Sequence, residues 1–467
     1  LEKKITKRPY QEICVNKIVE YFNSTKKQKP QLLVAPTAAG KSWLIAWTLE
    51  QVNDPTLILQ PSEILLEQNY QKFCKVGGKA AIYSASKGKK ELGRFIYATI
   101  GSIKNLGTFL KEYGIKNVII DEVHTYSTSK GDSDKGTKDG MLRKLMTDLG
   151  TTKIIGCSAS PMKARIYGGR YDPYTQLNLL NRTVPRFFSD ILHVIQISEM
   201  LENGYWKGIE YKCFNPKTKF LQLNKNGSEY TDASIKRWYK ENQVLKDILK
   251  CIEVALRHGK KTILVFLPSV DHCLEAHKAF PNSVVLYGEM SKNERDKALE
   301  KYKTGEVNVA FSVEVLTTGF DLDIIDTLIL GRITNSLSLY YQMVGRLVRW
   351  HEFIKLGTVI DLVGLVKKFG KIEEFNFEKI EGYGWGMFSG ERLLTGIRLD
   401  EERHVTKKML FKPTLTKIDG KKQSVFKVGK YQYIPLKEIP KEYLNWAIVN
   451  MDFKKDLKLK QEILKLI

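Results

Sequence analysis

Sulfur is scarce and scattered. The six cysteines, Cys14, Cys74, Cys157, Cys213, Cys251 and Cys273, form no C-x-x-C pair. A structural zinc site and a disulfide framework are therefore not expected, and the thiols read as reduced, as in a cytoplasmic protein. Cys273 with His272 and His277 is the one grouping that could share a helix face around a metal, and ordinary helix packing is the preferred account of it. Long apolar runs are also missing: no segment nears the roughly 20 residues that span a bilayer. The first residues, Leu1 to Arg8, contain no apolar h-region, so no secretory signal is expected. Acid is in short supply, with 52 Asp/Glu against 75 Lys/Arg and a net charge of +23. Such an excess attracts polyanions, nucleic acid first and an anionic membrane second. No basic amphipathic helix with an aromatic face stands out, which ranks the membrane low. Hydrophobic residues at 43% and charged residues at 27% exclude a disordered chain. Its 467 residues allow two to four domains at roughly 150 residues each.

The chain is organised around Val118-Ile119-Ile120-Asp121-Glu122-Val123-His124. A short apolar run of this kind reads as a buried parallel strand. Acids at its C-terminal end stand where open α/β sheets place their chemistry. Asp121 could hold Mg²⁺ and Glu122 could take a proton from water, or the pair could be a solvated acidic turn. Upstream, the strand Gln31 to Val34 leads into Ala35-Pro36-Thr37-Ala38-Ala39-Gly40-Lys41-Ser42 and then a helix. This is a phosphate loop with Ala35 in place of the usual first glycine. Backbone N–H groups there cradle phosphates, Lys41 reaches the β/γ-phosphates and the Ser42 hydroxyl binds Mg²⁺. Arg8-Pro9-Tyr10-Gln11 opens a helix over 11–22, and Gln11 could read an adenine edge or simply start that helix. Strands at 56–60 and 95–99 end in Gln60-Pro61-Ser62 and Ala98-Thr99, and another at 152–157 ends in Ser158-Ala159-Ser160. Small hydroxyl residues at strand ends contact phosphate backbones or cap helices. Ser127 to Gly140 is a Ser/Gly/Lys-rich loop.

The pattern predicts a helix over 188–204, a linker in the charged stretch 206–240, and a second series of strands at 262–267, 284–288 and 307–312. Gln342-Met343-Val344-Gly345-Arg346-Leu347-Val348-Arg349 places two arginines three apart, so one helix face is expected to present both. Guanidinium groups aimed at a γ-phosphate stabilise phosphoryl transfer; a basic surface helix would look the same in isolation. Residues 381–388 are rich in glycine and aromatics, suited to stacking on bases or to packing the tail onto the second domain. Residues 401–467 carry 16 Lys/Arg against 8 Asp/Glu, a denser positive charge than the chain as a whole.

In this order the motifs resemble superfamily 2 helicases of the DExH type over about residues 8–365. Arg8 to Gln11 resembles the adenine-reading segment, Ala35 to Ser42 motif I, Gln60 to Ser62 motif Ia, and Ala98-Thr99 motif Ib. Asp121 to His124 resembles motif II, Ser158 to Ser160 motif III, Val315 to Asp321 motif V, and Gln342 to Arg349 motif VI. The resemblance implies ATP and Mg²⁺ as cofactors. Lys41, Ser42 and Asp121 would hold them, with Arg8, Gln11, Thr37, Ala38, Ala39 and Gly40 around the nucleotide. Glu122 would act on the attacking water, and Gln342, Arg346 and Arg349 would complete the site from the second domain. Gly319 and Asp321 would join ATP to the bound strand. Pro61, Ser62, Thr99, His124, Ser158, Ser160 and Thr317 would couple it to nucleic acid. Phe426 to Tyr431 and Pro440 to Trp446 resemble a small module appended to some bacterial and phage DNA-processing enzymes, although Val428 and Gln432-Tyr433 depart from its usual run.

The expected fold is α/β: two RecA-like parallel-sheet motor domains in tandem, at 1–205 and 241–372, joined by the linker 206–240. A small basic α+β region follows at 373–467, a candidate DNA-docking module. The expected activity is that of a monomeric, cytoplasmic ATP-dependent DNA helicase, most like phage-encoded enzymes that remodel forks and Holliday junctions; for a phage-encoded protein the location is the host cytoplasm. Single-stranded and branched DNA are the expected partners, with no membrane. An RNA helicase, a duplex DNA translocase of a restriction complex, and a non-motor DNA-binding protein are the alternatives, in that order.

Overall fold

The computed structural model describes residues 6–126, 138–167, 174–183, 186–217, 219–224, 229–313, 322–380, 383–398, 405, 415–418, 421–424, 434–450 and 457–467. Short runs of Val, Ile and Leu buried on both faces build two sheets, as parallel strands require. In the first, β1 (Gln31–Val34), β2 (Thr56–Gln60), β3 (Ala81–Ser84), β5 (Phe95–Thr99), β6 (Asn117–Ile120), β7 (Lys153–Ser158) and β10 (Asp190–Val194) run parallel, and β4 (Lys89–Lys90) adds an antiparallel edge to β3. Their order is β10-β1-β7-β6-β2-β5-β3-β4. The loops after β1, β6, β7 and β2 therefore leave from one edge of the sheet.

The second sheet is wholly parallel, in the order β11-β16-β15-β12-β14-β13. It contains β11 (Gly208–Cys213), β12 (Ile263–Phe266), β13 (Ser283–Leu286), β14 (Val309–Ser312), β15 (Thr327–Leu330) and β16 (Leu356–Asp361). The helix Val244–Arg257 shows how side-chain spacing seats a covering helix: Val244, Ile248, Ile252 and Ala255 are its buried stripe. Two RecA-like parallel-sheet domains in tandem are thus the architecture.

Three expectations change. The helix predicted over 188–204 is β10 followed by the short helix Ile197–Glu202. Ile191, Leu192 and Val194 fit a short strand as well as a helix face, and pairing with β1 decides the outcome. The stretch 206–240, read as linker, supplies β11 to the second sheet through full register with β16, and the helix Asp232–Glu241 besides. The arginines of motif VI do not share a helix face: the helix Leu337–Val344 ends before them.

Two smaller units flank the sheets. A hairpin, β8 (Met162–Tyr167) and β9 (Tyr174–Leu179), follows motif III directly. Beyond the second sheet, β17 (Phe375–Ile380), β18 (Gly384–Ser389) and β19 (Arg392–Leu393) form an antiparallel sheet with its own core at Ile380, Phe388, Leu393 and Val405. This sheet reaches back to the first domain as well as the second. Trp385 Nε1 donates to Asp190 Oδ1 at 2.6 Å and Lys379 pairs with Asp190 Oδ2 at 2.6 Å. Gln196 exchanges hydrogen bonds with both backbone groups of Phe377, and Arg182 lies over the Tyr383 ring at 4.0 Å. On the other side Tyr340, in the second domain, packs on Phe375. The chain ends in the helices Lys441–Asn450 and Leu457–Leu464, packed on a small core that includes Leu436, Leu444 and Ile463.

Candidate active site

A cleft of about 740 Å³ lies where the two sheets face each other. Its first wall is the loop after β1. Ala38 and Gly40 are both left-handed, with φ of 61° and 81°, and the turn delivers the chain into the helix α1 (Lys41–Leu49). The left-handed φ favours glycine at position 40, and a Cβ there would also lie 2.8 Å from Gln11 Nε2 and displace it. No side chain caps α1, which leaves its first amide N–H groups for an anion. The strained turn is held from both sides. Tyr10 OH and Gln11 Nε2 donate to the Ala39 carbonyl at 3.0 and 3.1 Å, and Trp206 Nε1 donates to the Thr37 carbonyl at 2.9 Å. Gln11 Oε1 accepts from the Arg8 N–H at 2.9 Å, and the Arg8 guanidinium stacks on Tyr205 at 4.2 Å.

The second wall is the end of β6. Asp121 is buried at 3% exposure, and its carboxylate accepts from the Glu122 N–H at 2.9 Å and from Asn69 Nδ2 at 3.0 Å. Asn69 comes from the helix Glu63–Lys75 and is itself fully buried. Glu122 adopts a left-handed φ of 45° that swings its side chain to Lys41 Nζ, 2.8 Å away. Burial pushes the Asp121 pKa up to about 6, and repulsion from Glu122 adds to this. Burial also opposes ionisation of Glu122, but the charges of Lys41 and Arg346 outweigh it and keep its pKa below the usual value. The same acids hold the buried Lys41 above the ordinary lysine pKa.

His124 links three motifs. Its Nδ1 lies 2.8 Å from Ser158 Oγ and 3.4 Å from Glu122 Oε2, and its Nε2 lies 3.1 Å from Gln342 Nε2 of the second domain. An amide nitrogen only donates, so Nε2 accepts and the ring is the neutral Nδ1–H tautomer. Burial, which lowers the His124 pKa, favours that form. Ser160 N–H donates to Ser158 Oγ at 3.0 Å.

The second domain closes the cleft with Gln342, Arg346 and Arg349. Burial lowers both arginine pKa values to about 10 and leaves them charged. A Cβ on Gly345 would lie 2.8 Å from Thr37 Oγ1, so this turn sits directly on the phosphate loop.

Arg8, Gln11, Thr37, Ala38, Gly40, Lys41, Ser42, Pro61, Ser62, Asp121, Glu122, His124, Gln342, Arg346 and Arg349 all line this cleft. Ala39 is not among the lining residues: it is buried, and its carbonyl accepts from Tyr10 and Gln11. Ser62 caps the helix Glu63–Lys75 by accepting from the Leu65 N–H at 3.4 Å. Thr99 lies apart, bonded to Ser102 at 3.0 Å. Thr317, Gly319 and Asp321 of motif V, much of the loop 127–140 and Phe426 to Tyr431 lie outside the described residues. Sequence reasoning missed Asn69, Tyr205, Trp206 and Lys72. The last lines the cleft with its ammonium 5.8 Å from the Trp43 ring, and burial lowers its pKa. Only the spacing of Asn69 and Lys72 on one helix could have pointed to them.

Mg²⁺ fits the donor set. Two buried carboxylates repel each other at 121 and 122, and a divalent cation held by Asp121 and the Ser42 hydroxyl would cancel that repulsion and neutralise phosphate charge. Among the described residues no group of three His, Cys, Asp or Glu forms a further metal cluster, and His277 instead bonds Ser283 at 2.8 Å. All six cysteines are free thiols. No helix among the described residues is long and apolar enough to cross a membrane.

A phosphate loop on one parallel sheet, an Asp-Glu pair beside it and two arginines from a second sheet define a two-domain nucleotide-binding core. Comparison with known proteins agrees. Residues 4–163 match the family described as "Type III restriction enzyme, res subunit", and residues 241–351 match "Helicase conserved C-terminal domain". The protein of Saccharomyces cerevisiae named as ATP-dependent helicase IRC3 is 24% identical over 57% of this chain and 37% of its own. The one of Schizosaccharomyces pombe named as mitochondrial ATP-dependent helicase irc3 is 25% identical over 77% of this chain and 58% of its own. The chain thus spans only part of these relatives. The fold is shared with a solved structure described as the ATP-dependent Type ISP restriction-modification enzyme LlaBIII bound to DNA, with a TM-score of 0.56, 14% identity, 78% of this chain covered and 28% of that one. Together the two domain matches and the relatives support a superfamily 2 helicase.

Proposed function

We propose that the protein is an ATP-driven DNA motor of the DExH type. Lys41, Ser42 and Asp121 hold ATP·Mg²⁺, Glu122 orients or deprotonates the attacking water, and Arg346 and Arg349 stabilise the charge of the transferred phosphoryl group. The observation that carries this reading is the convergence of both halves in one cleft: Lys41 on Glu122 at 2.8 Å, with Gln342 on His124 at 3.1 Å across the domain boundary. Hydrolysis then changes the fit between the domains and steps the protein along a nucleic-acid backbone, which the net charge of +23 attracts. Forked and four-way DNA, remodelled by a monomer during replication, recombination or repair, is the preferred substrate. The basic tail and the resemblance to phage DNA-processing enzymes support that choice.

The test is ATP hydrolysis at fixed salt with no nucleic acid, single-stranded DNA, duplex DNA, forked and four-way DNA, and single-stranded RNA. Strongest stimulation by branched DNA is expected, and stimulation by RNA alone would overturn the DNA reading. The description matched by residues 4–163 favours one second reading, a duplex DNA translocase serving a restriction-type assembly; it predicts that plain duplex stimulates as well as branched DNA. Lys41→Ala and Glu122→Gln are expected to abolish hydrolysis, and full activity in either would sink the motor reading.

A further inference from the structure

The chain crosses from the first sheet to the second at Trp206-Lys207, and this dipeptide touches the phosphate loop, motif VI and the segment after motif V. Trp206 is 3% exposed, with its indole N–H on the Thr37 carbonyl at 2.9 Å. Its backbone forms an isolated antiparallel bridge with Arg349, and the next N–H, of Lys207, donates to the Val348 carbonyl at 3.0 Å. The Lys207 ammonium, equally buried, donates to the carbonyls of Asp323 and Ile325. A tryptophan that merely filled space could satisfy its N–H on any nearby carbonyl. Here the acceptor precedes left-handed Ala38, so the bond bears on the turn that shapes the phosphate cradle. The same residue's backbone pairs with an arginine of the opposite wall.

We propose that Trp206 is a positioning residue: its indole ties the crossing segment to the phosphate loop, and its backbone bridge sets Arg349, and with it Arg346 three residues earlier in the same turn, at the distance from that loop that phosphoryl transfer needs. The inference rests on the ATP-driven reading. It separates two quantities. Nucleotide affinity comes mainly from Lys41 and the amide N–H groups at the start of α1, and the indole bonds none of these, only the Thr37 carbonyl. The arginines act as charge develops, so misplacing them lowers kcat more than it raises KM.

Two variants of the full chain test this. Trp206→Phe keeps an aromatic ring and deletes the donor. Benzothienylalanine at position 206 keeps the bicyclic shape and replaces N–H by sulfur, and it decides the matter should the phenylalanine variant fold poorly. Loss of one buried hydrogen bond that acts on the transition state is expected to lower kcat about five- to tenfold, with KM for ATP and affinity for ADP within about twofold of the parent. An unchanged kcat in the benzothienylalanine protein, or a loss confined to KM, overturns the inference. Lys41→Ala serves as the control. Hydrolysis that survives it removes the ATP-driven reading itself, whereas a dead Lys41→Ala protein beside normal 206 variants removes only the role of Trp206.

Discussion

Two residues within three positions, Ala38 and Gly40, hold the phosphate loop in left-handed backbone. Ala38 bears a cost of roughly 1 kcal/mol for this, which the donors on Thr37 and Ala39 offset. Gly40→Ala adds a second such residue and drives a methyl into Gln11. It is expected to cost about 1–2 kcal/mol in denaturant midpoint measurements and to abolish nucleotide binding. Asp121 makes a pH-dependent prediction. Its pKa is raised from 3.8 to about 6, so the free protein loses this carboxylate's charge as pH falls below about 6. The acid limb of kcat/KM for MgATP should therefore fall near pH 6, while that of kcat lies lower because bound cation keeps the group ionised. In stability the sign is opposite. A raised folded pKa contributes stability below the unfolded value of 3.8 that is lost as pH rises through 6. Asp121→Asn is thus expected to raise Tm at pH 7.5 and to lose that gain by pH 4, while hydrolysis disappears. An equal Tm shift at both pH values would refute the buried-charge account.

Elements that carry their own chemistry could be read from the chain, and those that act at a distance could not. The loop after β1, the acids after β6 and the residues Gln342 to Arg349 are contiguous motifs whose residue types state their task, and all reach the cleft. β3, β15 and β16 went unpredicted and β11 read as linker, while β1, β2, β5, β6, β7 and β12 to β14 were visible as apolar runs. β10 was not, because Ile191, Leu192 and Val194 satisfy both periods and only pairing with β1 chooses. Asn69 and Trp206 were missed for a related reason: each acts on a residue far away in sequence, Asp121 and Thr37, through a contact that exists only after folding. The β17-β18-β19 sheet belongs to the same class. The glycines and aromatics at 381–388 suggested packing on the second domain, yet Trp385 and Lys379 meet on Asp190 of the first. Asp190→Ala leaves the Trp385 N–H without its acceptor and is expected to destabilise that sheet by roughly 1–2 kcal/mol. Hydrogen exchange should report this as faster exchange across 375–389 with the nucleotide cleft unaffected; unaltered exchange there would mean that Asp190 does not anchor the sheet.

For the molecule as a whole, charge and connectivity matter more than any one contact. A net charge of +23 implies that any affinity for nucleic acid comes chiefly from counterion release. Contact with about five phosphates of a single strand lowers affinity about a hundredfold between 50 and 200 mM salt. Fluorescence anisotropy with a labelled fork measures this directly, and a loss below about threefold would exclude backbone contact on that scale. Connectivity has a different consequence. Apart from the contacts across the cleft, Gln342 with His124 and the Gly345 turn on Thr37, the two large sheets are joined where the chain crosses at Trp206-Lys207 and again where β17 and β18 return to Asp190 and Gln196. Bodies attached at one point can swing in any direction; bodies attached at two are left with one degree of freedom, a turn about the line through both. Any motion that preserves these attachments is therefore a door's rotation on its hinges, with Arg349 held at one hinge and the residues farthest from Trp206-Lys207 and Asp190 sweeping the widest arc.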